Sequence, residues 1–331
     1  MKKLIPLLGA LVVLAGCGGA ADGDDAAIRA DGSVDLAKVT LHVGDQKAGS
    51  RALLQAAGQL EGITYKITWS QFTSGPPLLE AANAGAVDIG AVGNTPPIFA
   101  AAANSKIKIV AAGAQNLNAQ AVLVPKTSPI RSIQELKGKK VAVAKGSSAH
   151  ALLLSVLKKG GLRFADIRPQ YLQPADALSA FSAGRVDAWS IWDPYTAQAE
   201  AQTGARALVF GNDFGTNYSF NVAAAKALEN KAKVAALRDY LTRIDRATIW
   251  AATHQDEWAR TWSAQIGLPL PVAKVAAHRR VTRPVRIDDA LIRGEQQIAD
   301  AFTDADLIPG RLKIDDFVDR RFNDIVPGGS S

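Results

Sequence analysis

From Lys38 onward the chain alternates short β-branched runs with Ala- and Leu-rich stretches of helical period. Residues 39–43, 65–69, 87–92, 107–112 and 121–124 predict strands, and residues 50–59, 77–84 and 97–104 predict helices between them. A second series places strands at 141–144, 168–172, 188–191 and 207–210. Alternation of this kind specifies parallel sheets with helices on both faces. Beyond Tyr218 the pattern turns helical, with amphipathic stretches at 223–230, 233–253, 255–265, 271–280 and 288–303. Trp258 and Trp262 fall one turn apart on one face and are expected in a core.

The pattern also repeats. Leu79, Ala81, Ala84, Gly85, Val87 and Asp88 spell L-x-A-x-x-A-G-x-V-D, and Leu178, Ala180, Ala183, Gly184, Val186 and Asp187 spell it again 99 residues later. Physically the string is a helix end, a glycine just past it, and entry into a buried strand. At nearly the same offset, Lys47-Ala48-Gly49-Ser50 and Lys145-Gly146-Ser147-Ser148 each join a strand to a helix. Two lobes of similar topology are therefore expected.

The N-terminus sets the compartment. Lys2 and Lys3 precede an apolar run over residues 4–15, too short for a permanent span and of the form of a secretory signal. It closes with Leu14-Ala15-Gly16 before Cys17, the sole cysteine, which excludes an intramolecular disulfide and leaves Cys-based metal sites without ligands. The segment resembles the lipobox of bacterial lipoproteins, in which cleavage leaves a lipid-modified N-terminal cysteine. Cleavage would lower the net charge from +7 to +5 by removing Lys2 and Lys3. Residues 18–37, rich in Gly, Ala and Asp, read as a flexible tether.

Charge does not point to nucleic acid: the densest basic group, Arg279-Arg280-x-x-Arg283-x-x-Arg286, lacks interleaved aromatics and reads as a helix end or docking patch. The four histidines show no paired metal spacing, and no cofactor fingerprint, phosphate loop or nucleophile elbow is present. In open α/β sheets ligands bind where strands lead into helices. Those junctions are 44–50, 72–77, 93–97, 145–150 and 192–194, several carrying Gly with Ser or Thr. Helix N-termini of this kind favour anions, and several converging on one cleft could hold a tetrahedral oxyanion without any arginine. Asp193 is expected to cap its own helix.

Gly44-x-Gln46-Lys47, Phe72-x-Ser74-Gly75-Pro76, Gly85-x-Val87-Asp88, Gly93-x-x-Pro96-Pro97, Lys145-Gly146-Ser147-Ser148-x-His150 and the run from Val186 to Pro194 together resemble aliphatic sulfonate-binding proteins. These are the solute receptors of ABC importers, related to taurine- and nitrate-binding proteins. The resemblance implies an α/β periplasmic-binding fold of the second type, with two crossovers near 124–128 and 211–216 and C-terminal helices completing lobe one. The implied divisions are a signal peptide (1–16), lipidated Cys17 with its tether (17–37), lobe one (38–124), lobe two (125–213) and the remainder of lobe one (214–331). Carried over by position, Gln46, Ser74, Gly75, Asn94, Thr95, Ser147, Ser148 and Tyr218 are the ligand candidates, with Trp192 as an apolar wall.

Asp45 stands where many relatives have an aromatic, and is a candidate reader of an amino group. The implied role is a monomeric, membrane-anchored extracytoplasmic receptor that passes an organic sulfonate to a permease. Taurine, nitrate, a sulfate ester or a pyrimidine precursor are alternative ligands. A secreted lyase on the same fold is the alternative class, with Asp45, Asp193 and His150 as its acid–base candidates.

Overall fold

The computed structural model describes residues 26–214 and 218–327. The expected signal peptide and Cys17 lie outside the described residues. Strands follow in the order β1 (Thr40–Gln46), β2 (Lys66–Phe72), β3 (Ile89–Gly93), β4 (Ile107–Gln115), β5 (Gln120–Val124), β6 (Lys140–Val143), β7 (Arg168–Tyr171), β8 (Ala188–Trp192), β9 (Arg206–Phe210), β10 (Tyr218–Ala224) and β11 (Thr282–Val285). They form two sheets, ordered β11-β4-β10-β3-β1-β2 and β7-β6-β8-β5-β9. Each sheet inserts one antiparallel strand, β10 or β5, between the third and fourth strands of its own lobe. Each inserted strand follows directly on a crossing from the other lobe, so the two sheets share one topology.

The first crossing is therefore at 116–119, not at 124–128. Every residue of β5 is buried and the strand pairs with β8 and β9, which puts residues 120–124 in lobe two. The second crossing joins β9 to β10 over 211–217, and its residues 215–217 lie outside the described ones. The expected tether also shortens. Ala27 is fully buried in the core of lobe one, Ile28 bridges to Val34, and residues 36–38 form a short 3-10 helix.

Helices α1 (Ser50–Ala56), α2 (Gly75–Asn83) and α3 (Thr95–Ala102) belong to lobe one; α4 (Ser148–Lys159), α5 (Pro174–Ser182) and α6 (Tyr195–Thr203) belong to lobe two. After β10 come α7 (Ala225–Glu229), α8 (Lys231–Thr253), α9 (Gln255–Ile266), α10 (Leu270–Arg279) and α11 (Asp289–Asp304). Leu237, Tyr240 and Leu241 of α8 pack on Leu41, Val43 and Ile89 of the sheet. Burying each such side chain contributes about 1.5–3 kcal/mol. Trp258 and Trp262 are buried in contact with each other, as the helical period predicts. Helix α11 reaches further than lobe one: Leu291 and Ile292 join its core, while Ala299 and Phe302 pack in the core of lobe two beside α4.

The sequence repeat has one physical role in both lobes. Asp88 Oδ2 accepts a hydrogen bond from the His42 N–H at 2.8 Å, and Asp187 Oδ2 accepts one from the Lys140 N–H at 2.8 Å. Each aspartate pins the start of its own strand to the neighbouring parallel one. Gly85 and Gly184 take the left-handed conformation (φ 79° and 65°) that turns each helix into that strand.

Candidate functional site

The carboxyl ends of both sheets face one interlobe cavity of about 170 Å³. Gln46, Gly75, Ser147, Ser148 and Trp192 line it, as do Asp45, Asp193 and Arg280. Ser74, Asn94, Thr95 and Tyr218, also candidates from the sequence, stand outside its lining. Ser74 Oγ instead donates to Gln173 Oε1 of lobe two at 2.8 Å, joined there by Thr73 Oγ1 at 3.0 Å. Thr95 Oγ1 donates to Asn94 Oδ1 at 3.0 Å, and Tyr218 stacks on Phe220 with centroids 6.3 Å apart.

The helix N-termini contribute less than their sequence suggests. In α2 and α3 the prolines at 76, 77, 96 and 97 remove N–H groups that an anion would otherwise meet. Helix α4 keeps its amides: Ser147 Oγ donates to the Ala144 carbonyl at 2.7 Å rather than capping the helix. Gln46 Nε2 is held by the Ala91 carbonyl at 2.8 Å, which fixes the side chain at the mouth of β1.

The cation comes from elsewhere. Helix α10 ends at Arg279, and Arg280, the residue after it, turns its guanidinium into the cavity wall over the Trp262 ring at 5.8 Å. That guanidinium makes no hydrogen bond among the described residues. Burial lowers its pKa, opposed by Asp193 and Asp45. An arginine with five donors and no acceptor in a cavity is built for an oxyanion. The sequence alone points to helix N-termini without any arginine, whereas the structure adds Arg280 to the cavity lining. Arg280 stood in view within the densest basic group, but only long-range packing separates it from its neighbours. Arg279 instead pairs with Glu200 of α6 at 2.8 and 3.3 Å and lies over Phe210, joining the two lobes. Lys47 adds a second link between lobes, its Nζ 5.0 Å from the centre of the Tyr195 ring.

Asp45 does not reach toward a ligand amine. Its Oδ1 accepts from the Ser50 N–H at 2.7 Å and its Oδ2 from the Arg51 N–H at 3.3 Å, closing the start of α1. Gly49 permits this, since a Cβ there would lie 2.2 Å from Asp45 Oδ1. Asp193 Oδ1 likewise accepts from the Ala197 N–H at 2.9 Å, as a cap for α6. Its Oδ2 is buried without a partner, and burial raises its pKa to about 7 against the pull of that hydrogen bond.

Residues 66–258 match the model of a family described as NMT1/THI5 like. This chain belongs to the NMT1/THI5-like family. It is 39% identical over 280 residues to an Escherichia coli (strain K12) protein named as an aliphatic sulfonates-binding protein, covering 83% of this chain and 86% of that one. The alkanesulfonate-binding protein SsuA from Xanthomonas axonopodis pv. citri, solved bound to MOPS, superposes with a TM-score of 0.78 at 35% identity. That match covers 85% of this chain and 98% of SsuA. The fold is the two-lobe periplasmic-binding architecture of these proteins. The desulfurization enzyme DSZB shares the fold at a TM-score of 0.61 and 16% identity, over 86% of this chain and 97% of that one.

For this NMT1/THI5-like protein the acid–base candidates divide clearly. His150 is fully buried and faces away from the cleft, ringed by Phe99, Phe164, Tyr171 and Phe302 at 5.0–5.8 Å between centroids. Its Nδ1 accepts from the Gly146 N–H at 3.2 Å, and burial lowers its pKa to about 3, so it is a neutral packing group. Among the described residues no group of three or more His, Cys, Asp or Glu is placed to hold a metal ion, and no helix is long and apolar enough to cross a membrane.

Proposed function

We propose that this protein is an extracytoplasmic receptor that captures aliphatic sulfonates between its lobes and delivers them to an ABC permease. The observation that carries the reading is Arg280, which lines the cavity and whose guanidinium makes no hydrogen bond among the described residues. A sulfonate is anionic at every physiological pH and presents three acceptor oxygens to that fork. Ser147 and Ser148 at the start of α4 line the same cavity, and Trp192, Pro96, Val92 and Leu53 supply apolar surface for an organic tail. Lipid attachment at Cys17 tethers the monomer to the membrane, with residues 18–25 as the spacer.

Two of the three acid–base candidates are occupied elsewhere, both oxygens of Asp45 by α1 and His150 in a separate aromatic pocket, while Asp193 lines the cavity with its Oδ2 unpartnered, so recovery of the ligand is what separates binding from turnover. Calorimetric titration of protein lacking residues 1–17 with C2 to C5 alkanesulfonates, taurine, nitrate and sulfate tests the proposal. Saturable 1:1 binding of the alkanesulfonates, with ligand recovered unchanged after long incubation, is the expected result. Binding of nitrate or sulfate alone refutes the ligand class, and chemical conversion of a bound sulfonate refutes the receptor reading.

A further inference from the structure

The cavity holds a second unpartnered charge. Asp245 of α8 is only 7% exposed, lines the same cavity as Arg280, and its carboxyl makes no hydrogen bond among the described residues. Its neighbours on the cavity wall, Ile244, Thr248, Ala251 and Trp258, carry no charge. A carboxyl group without a partner in such a place is unfavourable unless something cationic or proton-bearing meets it. Among the described residues no cation does so, and burial alone acts on its ionisation. The carboxylates that act on Arg280 are Asp193 and Asp45, and Asp245 is not among them, although both it and Arg280 line the one cavity. Asn221 Oδ1, from β10 in the same lining, is also buried without a donor. The cavity thus offers a donor at Arg280, and acceptors lacking donors at Asp245, Asn221 and the Oδ2 of Asp193, of which Asp193 is the one that acts on Arg280.

That polarity matches a ligand with a sulfonate at one end and an ammonium at the other. We infer that Asp245 is a specificity determinant that receives a cationic nitrogen of the ligand, so that the receptor prefers aminoalkanesulfonates to plain alkanesulfonates. This rests on the sulfonate reading above and deepens it. It also moves the amine-reading role from Asp45, whose oxygens are engaged by α1, to a carboxylate that no protein group engages.

The test compares matched pairs, propanesulfonate with 3-aminopropanesulfonate and butanesulfonate with 4-aminobutanesulfonate, by calorimetry at pH 8. The wild-type protein is expected to bind the amino member of at least one pair tenfold or more tightly. In Asp245→Asn that ratio falls to near one while the plain alkanesulfonate keeps its affinity within about threefold. Equal or weaker binding of both amino ligands by the wild type overturns the inference while leaving the sulfonate reading intact, and needs no variant. A preference that survives in Asp245→Asn overturns it too. Failure of all four ligands to bind overturns both readings.

Discussion

Replacing Arg280 by glutamine removes the guanidinium of the cavity lining while keeping a polar side chain. Hydrogen bonds to charged groups contribute about 1.5–3 kcal/mol each, and a bidentate arginine–oxyanion contact makes two. The guanidinium is already inside the wall before ligand arrives, so part of its desolvation is borne by the folded protein rather than by binding. A loss of about 3 kcal/mol is a fair central value, which weakens Kd roughly 100-fold at about 1.4 kcal/mol per decade. Arg280→Lys keeps the charge without the fork and should fall between, at about tenfold. Stability should move differently. The Arg280 side chain gains a contact over Trp262 and attraction from Asp45 and Asp193 but makes no hydrogen bond among the described residues, so the unliganded variant should melt within about 4 °C of wild type. The assays are calorimetry with butanesulfonate and a thermal melt without ligand. If Arg280→Gln binds within threefold of wild type, the guanidinium does not hold the anion and the argument fails.

Three further predictions concern closure and ionisation. Glu200→Gln breaks the half-buried ion pair with Arg279 that spans the lobes, at about 1 kcal/mol, and should raise the ligand dissociation rate severalfold in stopped-flow tryptophan fluorescence; an unchanged rate contradicts a role in closure. Gly93→Ala places a Cβ 2.8 Å from Ser148 Oγ of the opposite lobe, so affinity should fall about tenfold or more while the unliganded melting temperature holds, and tight binding would show that the lobes close differently. Burial raises the pKa of Asp245 to about 7, above its unfolded value, so the folded state holds a proton that the unfolded chain has released. Its effect is absent below about pH 4 and destabilises increasingly as pH rises to 7. The melting temperature of wild type relative to Asp245→Asn should therefore fall between pH 5 and 8, and a flat difference would place that carboxyl in water.

Much of this fold is local enough to be read along the chain. The strands of both lobes from β1 to β9 and the five C-terminal helices stand within a few residues of their predicted positions, because β-branched runs and helical periods are short-range signals. The pair Asp88 and Asp187 was visible as a repeat and proved to have one structural role. Strands β10 and β11 were not legible. Tyr218–Ala224 runs straight into an Ala-rich helical stretch, and only the slot between β3 and β4 makes it a central strand. The same limit governs the site. Gln46, Gly75, Ser147, Ser148 and Trp192 lie at strand-to-helix junctions, where topology alone brings them to the cleft. Arg280 follows a helix end and Asp245 lies inside a 23-residue helix, and nothing in their neighbours distinguishes them from surface charges. Both reach the cavity because the C-terminal helices fold back on lobe one, which is a long-range fact. Ser74 and Thr95 show the converse, residues of suitable chemistry whose hydroxyls are turned to neighbouring side chains.

The central claim is that a sulfonate sits between the lobes against Arg280. A crystal structure of the protein with 3-aminopropanesulfonate tests it most directly. The account predicts sulfonate oxygens within about 3 Å of the Arg280 nitrogens and of the first α4 amides, with the alkyl chain along Trp192. A ligand seated elsewhere, or held in the cleft with Arg280 turned away from the anion, would contradict it.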